Sequence, residues 1–214
     1  MKINDTIIKN IEKEAQTYFE NACPSHDWSH VKRVYELCIY IGKKEKANLD
    51  ILKLAALLHD IGRRDEEKDP DNLDHSKISS ILSSKILNRY NLNGEIENQV
   101  VHCILSHRFR KEQKPETLEA KILYDADKLD SIGAIGIARA YAWAGKKGLL
   151  LYSDKNYLGT GYEHEHSPVT EFNYKLSKVK NKLFTETAKK IGEARHSFME
   201  SFFNQLNKEV NNKN

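Results

Sequence analysis

Residues 51–62, ILKLAALLHDIG, constrain the fold more than any other stretch. Apart from Lys53 the segment is apolar on every side until His59 and Asp60. A helix that is apolar all round belongs in an interior, so other elements must surround it. The remaining segments repeat mainly at the helical period. Ile7, Ile11, Ala15 and Tyr18 form one stripe, Val34, Leu37 and Ile41 a second, and Val179, Leu183, Ile191, Phe198 and Phe202 a third. Only 4 prolines and 10 glycines punctuate the 214 residues, which favours long helices over a turn-rich β-sandwich. The expected fold is an all-α helical bundle with a long C-terminal helix, in a single domain over 1–214.

Within that domain the motif-bearing core runs from about 20 to 145, a loop from 146 to 168, and a C-terminal helical segment from 169 to 207, kinked or broken near Gly192. Asp50, Asp74 and Asn93 are expected N-caps, and Pro115 is expected to open a helix. The loop region carries Gly145, Gly148, Gly159, Gly161, His164 and His166, with Tyr152, Tyr157 and Tyr162. Loops of this length are often lids or binding loops, disorder being the alternative.

Charge excludes some functions. With 34 basic against 31 acidic residues the net charge is +3, too balanced for a protein that coats nucleic acid. No stable nucleic-acid partner is expected, although a local basic pocket for phosphate is allowed. Cys23, Cys38 and Cys103 are an odd set without CxxC spacing, which argues against a disulfide framework and for a reducing, cytoplasmic setting. No signal-peptide stretch and no apolar run of membrane-spanning length is read, so no membrane partner is expected. The absence of a glycine-rich P-loop argues against an ATP-driven motor or switch. The exposed faces of the first and last helices could support an oligomer, but nothing demands one.

The informative residues are polar groups on apolar faces. A buried carboxylate is costly unless paired, and Asp60 also sits near a helix C-terminus, where the macrodipole disfavours negative charge. The two penalties call for a compensating cation, either a metal ion or an arginine such as Arg63 or Arg64. The bland alternative is a hydrogen-bonded Asp60 beside a satisfied core His59, and a second His-Asp pair, His26-Asp27, shows that the dipeptide alone proves little. The other histidines sort by face. His30 shares a stripe with Val34, Leu37 and Ile41, and His26 lies four residues earlier on the same face. His107 follows Val100, Cys103 and Ile104, and His75 aligns with Ile78 and Leu82. His102 and His196 have mostly polar neighbours. In YDADKLD, Asp127 continues the face of Ala120 and Leu123, whereas Asp125 lies four residues after Lys121 and reads as an exposed ion pair. An aspartyl-nucleophile reading fails because the segment is helical, and a calcium loop fails for want of its glycine and closing glutamate.

HDWSHVKRV, LAALLHDIGRR and LYDADKLDSIGAIGIAR, in that order, resemble the successive motifs of the HD superfamily of metal-dependent phosphohydrolases, and TETAKKIGEARHSFMESFFNQ resembles the tail of its small single-domain bacterial branch. The resemblance covers roughly residues 20–207. It implies an HD-domain helical bundle holding a divalent metal between helices through His30, His59, Asp60 and Asp127. Some members hold two metals through extra histidines. Here His75 and His107 could do so, but substrate contact or support of the ligands is the preferred reading. The mixed nitrogen–oxygen donor set suits Mn2+ best, with Mg2+, Fe2+, Co2+, Ni2+ or Zn2+ as alternatives.

The expected activity is hydrolysis of a small phosphorylated substrate. A nucleoside triphosphate is favoured, especially a deoxynucleotide, cleaved to monophosphate and pyrophosphate. A nucleotide phosphodiesterase or phosphomonoesterase is the runner-up, and a non-catalytic metal or nucleotide sensor is the reading from another class. Asp60 would also orient or deprotonate the attacking water, with His107 and Glu66 as proton-transfer candidates. Arg63, Arg64, Arg108, Lys128 and Arg139 are candidate phosphate contacts, because guanidinium grips phosphate oxygens in pairs. His75 and His26 are further substrate-side candidates.

Overall fold

The computed structural model describes residues 3–20, 22, 27–66, 74–108, 113–153 and 166–212. His26, Cys23 and most of the glycine-rich stretch, including Tyr157, Gly159, Gly161, Tyr162 and His164, lie outside the described residues. The described regular structure is all α-helix with two short 3-10 turns and no strand. The chain divides into two compact units, residues 1–127 and 128–214.

The first unit contains α1 (Asp5–Thr17), α2 (Trp28–Glu45), α3 (Leu49–Leu58), α4 (Arg63–Glu66), α5 (His75–Arg89), α6 (Glu95–Ser106) and most of α7 (Leu118–Asp130). Its centre is α3, which contacts α1, α2, α5 and α6. Ile51, Leu52 and Leu54 through Leu58 are all buried, as the apolar run requires. Each such aliphatic side chain stabilises the fold by roughly 1.5–3 kcal/mol. The cap of α3 differs from the expected Asp50. Asn48 accepts from the amides of Asp50 and Ile51 at 3.1 and 3.4 Å, while its own amide donates to Glu119 at 2.8 Å. Asp50 instead occupies the first turn, where its charge meets the positive end of the helix. Asp74 caps α5, accepting from Ser76 at 2.8 Å. Gly94 rather than Asn93 caps α6, with a φ of +72° that favours glycine. Thr117, two residues past Pro115, receives the Ala120 amide at the start of α7.

The second unit contains the end of α7, then α8 (Gly133–Lys147), α9 (Pro168–Tyr174) and α10 (Glu186–Val210). The last carbonyls of α7 are held by two arginines. Arg195 donates to the Leu129 carbonyl at 2.5 Å, and Arg139 donates to the Asp130 carbonyl at 3.1 Å and its carboxylate at 2.8 Å. Cations suit this end of a helix. α8 continues through Gly145 and stops at Gly148, whose φ is +64°. The expected single helix over 169–207 is broken well before Gly192. After α9 come 3-10 turns at Leu176–Lys178 and Lys180–Lys182, and Thr185 caps α10 by accepting from Ala188 at 3.3 Å. Gly192 lies within α10, with the Leu183 side chain against its backbone.

Candidate metal centre

Five elements of the first unit bring their chemistry to one place. His30 lies in the first turn of α2, below its Asp27 cap. His59 and Asp60 form the turn that ends α3. His75 is the first residue of α5, His107 caps the end of α6, and Asp127 lies on α7. His30, His59, Asp60, His75 and His107 are all almost fully buried.

The imidazoles are oriented before any ligand is considered. A carbonyl only accepts, so His59 Nδ1 carries the proton it donates to Ala56 O at 2.8 Å, and His107 Nδ1 donates likewise to Ile104 O at 2.5 Å. His75 Nδ1 donates to Glu66 at 2.8 Å. In the neutral ring each Nε2 then presents a lone pair inward. His59 Nε2 lies 3.4 Å from His30 Nε2, and His75 Nε2 lies 3.3 Å from His107 Nε2. Between the two pairs sits the Asp60 carboxylate. Its Oδ2 is 3.6 Å from His30 and 3.8 Å from His59, while its Oδ1 is 3.2 Å from His75 and 3.6 Å from His107. Asp127 completes the first set, 3.6 Å from His30.

Lone pairs that face each other across such distances need a cation between them, either a proton or a metal ion. The donors His30, His59 and Asp127 lie within 4.8 Å of one another, as do Asp60, His75 and His107. The residues therefore fit a divalent cation, and Asp60 offers one oxygen to each set. Electrostatics separate the sets. Burial drives His59 down to about 4 against the pull of Asp60, leaving it neutral at pH 7. Burial would also lower His75, but the Asp60 carboxylate and the bond to Glu66 outweigh it and raise its pKa. For Asp60, burial is overcome by Arg63, His59 and His75, which hold it well below the usual carboxylate range.

A ring of charges surrounds the second set. Glu66 receives His75 and Arg108, and these bonds outweigh its partial burial and bring it to about 2. Arg108 also lies 3.6 Å from Asp74, and Glu66, Asp74 and His75 form a third cluster of potential donors. In the sequence Asp74 is legible only as a helix cap; its nearness to the centre comes from its place beside His75. Arg63 binds Asp60 through three hydrogen bonds. Arg64 is exposed on α4, and Lys128 follows Asp127 on α7, half-buried. Arg139 is engaged by Asp130 in the second unit. Asp125, expected at the surface, is wholly buried, and so is most of His196, which lies against Phe172.

Comparison with known proteins places the chain in a family. The HD domain family model matches residues 27–132. Over 206 residues the chain is 37% identical to the uncharacterized protein YpgQ of Bacillus subtilis, spanning 94% of this chain and 93% of that one. The crystal structure of Bacillus subtilis YpgQ in complex with ADP matches with a TM-score of 0.73 at 35% identity, covering 95% of this chain and 97% of that one. An HD-superfamily hydrolase from Bacillus thuringiensis matches with a TM-score of 0.74 at 31% identity, over 95% and 96% of the two chains. A matching family model over the His- and Asp-bearing helices, joined to near full-length relatives, shows that the chain belongs to the HD-domain superfamily.

Proposed function

We propose that the protein is a metal-dependent nucleotide phosphohydrolase that cleaves a nucleoside triphosphate, a deoxynucleotide by preference, to the monophosphate and pyrophosphate. The observation that carries this reading is the Asp60 carboxylate, shared between two facing pairs of imidazoles. The ADP bound in the crystal structure of YpgQ supports a nucleotide as the substrate class.

His30, His59, Asp60 and Asp127 would hold the cation, with Mn2+ favoured for a mixed nitrogen–oxygen set. When bound, such an ion polarises a phosphoryl oxygen and lowers the pKa of water, to about 7 in the best zinc case. The chain's own residues do the rest. Asp60 orients the attacking water. His75, held by Glu66 with Nε2 aimed into the site, faces the substrate with His107 and carries protons there. Arg108 and the exposed Arg64 supply positive charge for the polyphosphate. Water adds at the α-phosphorus, the bond to the bridging oxygen of the β-phosphate breaks, and that oxygen leaves on pyrophosphate.

A second reading has its own observation. If His75, His107 and Asp60 Oδ1 hold a second cation, the paired centre suits in-line displacement at a phosphoester, and phosphodiester or phosphomonoester hydrolysis follows. Phosphorus NMR of Mn2+-loaded protein with ribo- and deoxynucleotides separates the readings. Pyrophosphate from wild type and none from Asp60→Ala supports the first; orthophosphate or an opened cyclic nucleotide supports the second. Turnover retained by Asp60→Ala rejects both.

A further inference from the structure

Among the described groups around Asp60, Arg63 alone reaches both of its oxygens through a planar fork. The Arg63 Nε donates to Oδ2 at 3.2 Å, and Nη2 reaches Oδ1 at 3.3 Å and Oδ2 at 3.0 Å. A fork that touches both oxygens fixes the carboxylate plane as well as its charge. The plane matters here because Oδ2 faces His30 and His59 while Oδ1 faces His75 and His107. A rotation of the carboxylate would take an oxygen away from each set.

The arginine also closes a ring. Its Nη1 lies 3.5 Å from Glu66 Oε2, Glu66 binds His75 Nδ1 at 2.8 Å, and His75 Nε2 returns to Asp60 Oδ1 at 3.2 Å. Arg63 thus ties the shared carboxylate to the group that orients the opposing imidazole. To grip a phosphate with the same fork, it would have to release a carboxylate that is almost fully buried, giving up the three hydrogen bonds that fix its plane.

We propose that Arg63 is a positioning residue of the metal centre and not a phosphate contact: it sets the plane of Asp60 so that one oxygen serves each donor set. This inference rests on the metal-binding reading above. It predicts that Arg63 substitutions act on metal affinity and leave substrate affinity alone.

The test is calorimetric titration with Mn2+ of wild type, Arg63→Lys and Arg63→Met, followed by steady-state hydrolysis of dATP at saturating Mn2+. Supporting ligands of this kind typically change metal affinity by about 10–100-fold. Arg63→Met is expected to bind Mn2+ more weakly by such a factor. Arg63→Lys, which restores the charge without the fork, should remain weaker than wild type. At saturating Mn2+ the KM for dATP should stay within about twofold of wild type in both, because uniform substrate binding is untouched. Unchanged Mn2+ affinity with a raised KM overturns the inference and makes Arg63 a phosphate contact. If Arg63→Met does not fold, Arg63→Lys decides by the same two readouts. Failure of wild type itself to bind Mn2+ overturns the metal reading and this inference with it, an outcome distinct from an unaltered variant.

Discussion

Replacing Asp60 by asparagine keeps the shape of the side chain but removes the charge that Arg63, His59 and His75 stabilise. Since even supporting groups change metal affinity by 10–100-fold, Asp60→Asn should lower Mn2+ affinity by on the order of 100-fold or more in a calorimetric titration. Glu66 gives a pH-dependent test in the metal-free protein. Its pKa falls from 4.5 to about 2 on folding, so its stabilising contribution is fully present above 4.5 and is lost as pH falls through about 2. The stability gap between wild type and Glu66→Gln, followed by denaturant unfolding, should therefore narrow as pH falls from about 4.5 and close toward pH 2. The thiols offer a third check. Burial pushes Cys103 up to about 12 and raises Cys38 well above its usual range, and only thiolates react readily. Iodoacetamide at pH 8 should leave both unmodified in native protein and label both in denaturant, as read by mass spectrometry. Inward histidines were legible in the sequence because their neighbours three and four residues away are apolar. Asp125 was not. Lys121 four residues before it shows where an ion pair could form, not which face a neighbouring helix covers. His196 misled in the same way, since Phe172, which covers it, comes from a different helix.

Between elements, two glycines make opposite predictions. A Cβ at Gly62 would lie 2.7 Å from both Ile78 Cβ and the Ser79 backbone nitrogen. The turn after α3 therefore approaches α5 too closely for any side chain, and its amide donates to Ser79 Oγ at 2.9 Å. Gly62→Ala should destabilise by about 1–3 kcal/mol through overpacking. A Cβ at Gly145, inside α8, meets nothing within 4 Å, so Gly145→Ala should stabilise by about 0.4–1 kcal/mol through lost unfolded-chain freedom. Thermal unfolding of the two variants distinguishes the signs. Helix existence was readable from periodicity over most of the chain; ends were less so. The break between α9 and α10 was hidden because Val179 and Leu183 keep the apolar spacing and are both buried, while the stop is set by the Thr185 cap and the extended backbone at Leu183.

For the molecule as a whole, a cation that binds only the folded chain adds stability by mass action, about 2.7 kcal/mol at a hundred times its dissociation constant. Chelation should lower the melting temperature of wild type and leave that of Asp60→Ala unchanged. No helix among the described residues is long and apolar enough to cross a membrane. The all-α architecture was legible because nearly every segment repeats at the helical period and few prolines and glycines punctuate it. The convergence of α2, α3, α5, α6 and α7 on Asp60 was legible only in part. Periodicity says which face points inward, but not which inward groups meet. The measurement that tests the central claim most directly is elemental analysis of wild type and Asp60→Ala after Mn2+ loading and desalting. The proposed metal centre predicts bound manganese in wild type and its loss in the variant. Equal metal content in the two proteins would contradict a centre built on the shared carboxylate.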